Sequence, residues 1–170
     1  MKKLIPDHVF DSIYDIPPAL FVRHGVRGVL IDLDGTMASH RQALPPAPLS
    51  AFVQALREVG LRVLVFSNNK EERVARFCRP LGVAHISRAG KPRRAGYRRA
   101  AAQLGLPLSQ LAVVGDQIFT DVFGGNRVGA LTCYVQTIDR RFFWINVRYQ
   151  LERYFIARGR RRMEERARHE

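Results

Sequence analysis

Two aspartates, Asp32 and Asp34, stand at the end of an apolar run that starts at Gly28, and Gly35 and Thr36 follow at once. A strand that ends in charged groups points to a site at its carboxyl end, where open α/β sheets bind ligands. Two further segments repeat the pattern: "SNN" at 67–69 closes "LRVLVF", and "GDQ" at 115–117 closes "LAVV". Three loops from three strands would therefore converge on one polar site. Carboxylates gathered in this way can bind a metal ion or move a proton. The sequence argues against a calcium loop at Asp32 and Asp34, since the glycine-centred twelve-residue pattern and its closing glutamate are missing.

The elements that must position these residues alternate strand and helix, the pattern of an α/β fold with a parallel sheet. "GVLIDL" (28–33) is apolar without alternation, as a strand buried on both faces must be. Leu49, Phe52, Val53, Leu56 and Val59 recur at helical spacing, and Gly60 can cap that helix. "LRVLVFSNN" predicts a second strand, "KEERVARFCRPLG" a short helix halted by Pro80 and Gly82, and "AHIS" a brief third strand. Pro92 can open the helix "PRRAGYRRAAAQLG" at its first turn. "LAVVGD", a short helix in "TDVFGGNRVG", and "ALTCYVQ" complete a sheet of about five strands flanked by helices. The division expected is a domain over 1–138 with an N-terminal extension, then a basic helical segment over 139–170 packed on it or extending from it.

A chain of 170 residues suits one such domain. Cys78 and Cys133 fall in an expected helix and an expected strand, so both read as reduced, buried thiols. The first residues carry lysines, but Pro6, Asp7, His8 and Asp11 interrupt any apolar stretch, and no run reaches the roughly 18 residues of a membrane span. The expected location is the cytoplasm. The net charge of +13 points to an anionic partner, whether nucleic acid, a membrane surface or a phosphorylated substrate. An arginine-rich genome would account for part of the excess equally well.

Taken together, "DLDGT" (32–36), "SNN" (67–69), "GKP" (90–92) and "GDQIFTD" (115–121) resemble the four ordered motifs of the haloacid dehalogenase superfamily of phosphatases. More closely, "PDHVFDSIYDI", "SNNKEERVARFCRPLGV", "RAGKPRRAGYRRA" and "VVGDQIFTDVFGGNRVG" are similar to segments of the YqeG family of capless subfamily IIIA phosphatases. Fungal mitochondrial phosphatidylglycerophosphate phosphatases are among its relatives. The resemblance spans about residues 4–135. It departs at Gly35, where those relatives usually carry asparagine, although glycine is common there in the wider superfamily.

The resemblance implies a Rossmann-like fold, a magnesium cofactor and a set of roles. Asp32 would be the nucleophile that forms an aspartyl phosphate. Asp34 would protonate the leaving oxygen, activate water, and give its backbone carbonyl to the metal. Asp116 and Asp121 would complete the metal site, Asp121 either directly or through water. Ser67 would bond the phosphoryl oxygens with help from Asn68, Gly35 and Thr36 would line the substrate site, and Lys91 would neutralise nucleophile and phosphate. Asn69 and Gln117 read as loop-shaping. Read singly, Ser67, Asp116 and Asp121 could cap helices and Lys91 could be a solvated lysine; jointly, in this order, they argue for chemistry.

No cap domain fits in the short spacings from Asp34 to Ser67 and from Ser67 to Lys91. An open site suits a bulky or surface-bound substrate. On a helix over 141–158, Phe142, Ile145, Tyr149 and Ile156 make one stripe. Phe143, Trp144, Val147, Leu151, Tyr154 and Phe155 make another. A basic, aromatic helix of this kind can lie on an anionic membrane at the inner surface, or pack in the domain or in a homodimer. The arginines after Gly159 could bind lipid or RNA, or form a solvated tail. Phosphatidylglycerophosphate leads as substrate. A soluble sugar phosphate, a nucleotide or a nucleic-acid end, and plain RNA or ribosome binding, remain alternatives.

Overall fold

The computed structural model describes residues 2–138 and 143–168, with backbone only at 2, 143–149 and 167. Its strands are His8–Phe10 (β1), Gly28–Ile31 (β2), Arg62–Phe66 (β3), Ala84–Ile86 (β4), Leu111–Gly115 (β5) and Leu131–Val135 (β6). Every position of β2 and β5 is buried, as is all of β3 and β6 after the first residue. Such strands are stable only between two covering layers. They pair in parallel, in the order β1-β6-β5-β2-β3-β4.

The helices are Pro18–Arg23 (α1), Ala47–Glu58 (α2), Glu71–Cys78 (α3), Arg94–Leu104 (α4), Phe123–Val128 (α5) and Phe143–Ala167 (α6). Phe21, Leu49, Val53 and Phe77 from α1, α2 and α3 cover Val29, Ile31, Val63 and Val65 on one face. Tyr97, Ala100 and Leu104 from α4 cover Leu30, Leu64 and Val113 on the other. Cys78 and Cys133 are buried and free. Val59, expected in the apolar stripe of α2, is 43% exposed, because α2 ends at Glu58 and Gly60 turns the chain at φ +81°.

Three further expectations change. The sheet has a sixth strand, β1, drawn from the N-terminal extension. Asp7 anchors it by accepting from the Thr132 backbone N–H and hydroxyl, both at 3.0 Å, while β1 itself pairs with β6. Pro92 does not open α4: it follows a cis peptide bond in the turn after Lys91, and the helix begins at Arg94.

The last change concerns α6, which runs through Gly159 instead of stopping there. A Cβ at 159 would lie 2.7 Å from Pro6 Cγ and 3.0 Å from Val9 Cγ2, so glycine lets the helix approach β1 closely. Glu152, Ile156 and Gly159 face inward, whereas Leu151 and Tyr154 point to solvent and Phe155 is half-buried. The inward face thus takes Ile156 from one expected stripe and Glu152 from neither. Phe142, Phe143, Trp144, Ile145, Val147 and Tyr149 lie outside the described side chains. Among the described residues no helix is long and apolar enough to cross a membrane, and no cap domain interrupts the sheet.

Candidate active site

From β2 the chain moves outward to β3 and β4, and later returns to lay β5 on the opposite side of β2. The crevice beyond the carboxyl ends of β2 and β5 is therefore the topological switch point, where sheets of this kind bind ligands. Asp32 leaves β2 with its N–H bonded to Val114 O at 2.9 Å, and Asp116 leaves β5 next to it. A tight turn follows, in which the Met37 and Ala38 N–H groups both donate to Leu33 O and Gly35 N–H donates to Ala38 O. Gly35 adopts φ +90°, and a Cβ there would sit 2.5 Å from Asp116 Oδ2 and 2.9 Å from Thr137 Oγ1. Glycine is thus demanded by both conformation and space.

Asp121 reaches the crevice from the π-helical turn Ile118–Val122, an irregularity common at functional sites. Gly115 makes room for it: a Cβ at 115 would be 2.3 Å from Asp121 Cγ. Two neighbours hold the turn. Tyr97 Oη donates to Thr120 O at 3.0 Å, and the buried Glu152 of α6 accepts the Ile118 N–H at 2.9 Å.

One oxygen from each of Asp32, Asp116 and Asp121 falls within 4.8 Å of the others, and all three residues are buried. Lys91 Nζ donates to Asp32 Oδ1 at 2.5 Å and to Asp121 Oδ1 at 2.7 Å. Burial pushes the Asp32 and Asp121 carboxyls above the usual range, with the Lys91 charge opposing the shift. Burial by itself would discharge Lys91, but Asp121 and Asp32 outweigh it and raise its pKa, so the ammonium stays charged. Three crowded carboxylates repel one another, and a hard divalent cation with oxygen ligands relieves that repulsion. The donor set fits such an ion.

The Asp34 carboxylate is engaged outside this cluster. Its Oδ1 accepts from Arg73 Nε at 2.8 Å and Nη2 at 2.5 Å, and its Oδ2 accepts from Asn69 Nδ2 at 2.8 Å. With Asp32, Ser67, Lys91 and His40 it lines a polar pocket of about 320 Å³.

The family profile of haloacid dehalogenase-like hydrolases matches residues 42–129. The "Probable phosphatase YqeG" of Bacillus subtilis (strain 168) is 35% identical over 134 residues, which make 79% of this chain and 78% of that one. The chain belongs to the haloacid dehalogenase-like hydrolases. It is a hydrolase of phosphatase type. The chloroplastic phosphatidylglycerophosphate phosphatase 1 of Chlamydomonas reinhardtii is 28% identical over 79% of this chain, and the match spans 54% of the algal protein. In fold the chain is similar to the cobalt-bound deoxy-D-mannose-octulosonate 8-phosphate phosphatase (YrbI) of Haemophilus influenzae. That likeness has a TM-score of 0.53 and 16% identity, and covers 74% of this chain and 75% of the other.

In this hydrolase the Asp32, Asp116 and Asp121 carboxylates meet, Lys91 bridges Asp32 and Asp121, and Asp34 and Ser67 line the same pocket as Asp32 and Lys91. Asn68, expected at the substrate, has its side chain committed to the Lys91 backbone, accepting the N–H at 2.8 Å and donating to the carbonyl at 3.2 Å. Ser67 Oγ accepts the Asn69 N–H at 3.1 Å and keeps its proton to donate. Thr36, 1% exposed, lines a separate cavity of about 420 Å³ with Met37, Tyr14 and Ile138, not the polar pocket. Arg73, His40 and Glu152 are not among the residues that the sequence marks, and Asn69, expected to shape the loop, donates to Asp34 and lines the pocket. No local signal marks Arg73: it is one cation in the charged segment "KEERVAR", and its partner lies 39 residues away.

Proposed function

We propose that this hydrolase is a magnesium-dependent phosphomonoesterase that works through an aspartyl phosphate on Asp32. Its substrate in this reading is an anionic lipid phosphomonoester, phosphatidylglycerophosphate. The observation that carries the chemistry is the buried Lys91 ammonium shared by Asp32 and Asp121 beside Asp116. It brings a nucleophile, a fixed positive charge and oxygen ligands into one crevice.

Asp32, Asp116 and Asp121, with the Asp34 backbone carbonyl, would hold the ion, which when bound supplies positive charge to the phosphoryl oxygens. The Asp32 carboxylate attacks phosphorus, the bond to the leaving oxygen breaks, and that oxygen takes a proton from Asp34. Water then attacks the aspartyl phosphate and gives a proton back to Asp34. Inorganic phosphate leaves, and Asp32 is regenerated. Lys91 keeps its charge throughout, and Ser67 donates its hydroxyl to a phosphoryl oxygen.

Support for a lipid comes from the similarity to the phosphatidylglycerophosphate phosphatases and from the uncapped pocket. The outer face of α6 adds to it: Leu151 and Tyr154 are exposed beside Arg158 and Arg161. The test is magnesium-dependent phosphate release from phosphatidylglycerophosphate in mixed micelles, run beside soluble phosphomonoesters, with Asp32→Asn as control. Release selective for the lipid and abolished by Asp32→Asn is expected. Turnover of soluble esters alone would remove the lipid and keep the chemistry, while no turnover at all would move the basic chain toward RNA binding.

A further inference from the structure

We infer that Arg73 is a positioning residue that holds the Asp34 carboxylate with a single oxygen position left open to the substrate, an inference that rests on the phosphatase reading. An ionised carboxylate offers about four lone-pair sites. Arg73 Nε and Nη2 take the two on Oδ1, and Asn69 Nδ2 takes one on Oδ2. The position that remains is on Oδ2, which is therefore the oxygen held toward the leaving group. Without the guanidinium the carboxylate is free to turn about its side-chain torsions, and Oδ1 competes for that place.

The same guanidinium grips the neighbouring loop, with Nη1 donating to Gln42 O at 3.0 Å and Nη2 to Ser39 O at 3.1 Å. It thereby fixes the segment that carries His40 to the pocket wall. The Arg73 side chain is 20% exposed and that of Asp34 11%, so water is a poor substitute for these bonds. A lysine, with one nitrogen on a flexible stem, cannot reproduce the planar fork toward Oδ1 and two carbonyls.

Leaving-group dependence tests the assignment. An alkoxide needs a proton as it departs, whereas p-nitrophenolate does not. Full-length wild type, Arg73→Gln, Arg73→Lys, Asp34→Asn and the Asp34→Asn/Arg73→Gln double variant are compared by kcat/KM on an alkyl phosphate and on p-nitrophenyl phosphate. Arg73→Gln is expected to lose about 30-fold on the alkyl ester, a part of what a general acid supplies, and less than about 3-fold on the nitrophenyl ester. In the Asp34→Asn background it is expected to cost nothing further. Arg73→Lys keeps the charge and is expected to show the same selectivity, which carries the test if the glutamine variant does not fold. Equal losses on both esters, losses that multiply with Asp34→Asn, or a wild-type-like lysine variant would overturn the role of Arg73. A wild type inactive on every phosphomonoester would overturn the phosphatase reading, and this assignment with it.

Discussion

At Gly35 backbone conformation and available space impose the same demand. With φ at +90° and Asp116 Oδ2 only 2.5 Å from a built Cβ, Gly35→Ala costs about 1–2 kcal/mol in backbone strain and pushes Asp116 out of line. Phosphate release is expected to fall about 100-fold in steady-state assays, the usual cost of a misplacement near 1 Å, while circular dichroism still reports a folded chain. His8 supplies a different residue-scale prediction. Burial, then the charge of His24, lowers its pKa from 6.5 to about 4, and its ring packs edge-on to His24 at 5.0 Å. The folded state then binds fewer protons than the unfolded state between these two values. This contribution to stability is complete above about pH 6.5 and is lost as pH falls through 4. Thermal melts from pH 7 to pH 4 should show a decline that flattens by about 3 °C in His8→Gln.

Among the elements, α6 is tied to the acidic crevice more closely than its late place in the sequence suggests. Glu152 reaches from α6 to the Ile118 N–H, in the turn that begins two residues beyond Asp116 and carries Asp121. Glu152→Ala leaves that buried N–H without its carboxylate, at a cost of about 2 kcal/mol. Its melting temperature should drop and, on the proposed magnesium-dependent mechanism, the magnesium concentration for half-maximal turnover should rise several-fold. An unchanged magnesium dependence would mean that the bond braces α6 alone. Gly159→Val gives a contrasting case. Its new side chain meets Pro6 and Val9, more than a helix turn from the Glu152 contact, so about 1–3 kcal/mol of stability should be lost with a smaller effect on the metal requirement.

On the lipid-phosphatase reading proposed above, a charge of +13 and the exposed arginines of α6 would set, over the whole molecule, how the enzyme meets an anionic surface. If the substrate is presented on anionic micelles, raising salt from about 0.05 to 0.5 M should weaken turnover there, as the screening length shortens below about 10 Å. Hydrolysis of p-nitrophenyl phosphate should change little over the same range, because on the proposed reading its phosphate would be held by the buried groups of the crevice. Assays on the two substrates in parallel separate attraction to the surface from chemistry.

At that same scale the origins of the structure divide cleanly. The sequence by itself determined β2, β3, β5 and β6, since a strand covered on both sides must be continuously apolar, and it determined α2 through its 3.6-residue period. It also placed Asp32, Ser67 and Asp116 at strand ends, which in a parallel sheet all open on one edge. Only the tertiary structure decided β1, three residues long, which exists because β6 offers an edge more than 120 residues away. The same holds for α6 crossing Gly159, where helix propensity argues for a break and close approach to Pro6 overrides it. It holds too for Arg73 and Asn69 on Asp34, and for Glu152 on Ile118. Periodicity is a local property and survives in the sequence, whereas the partner of a buried polar group is chosen by whichever distant segment the fold brings within about 3 Å.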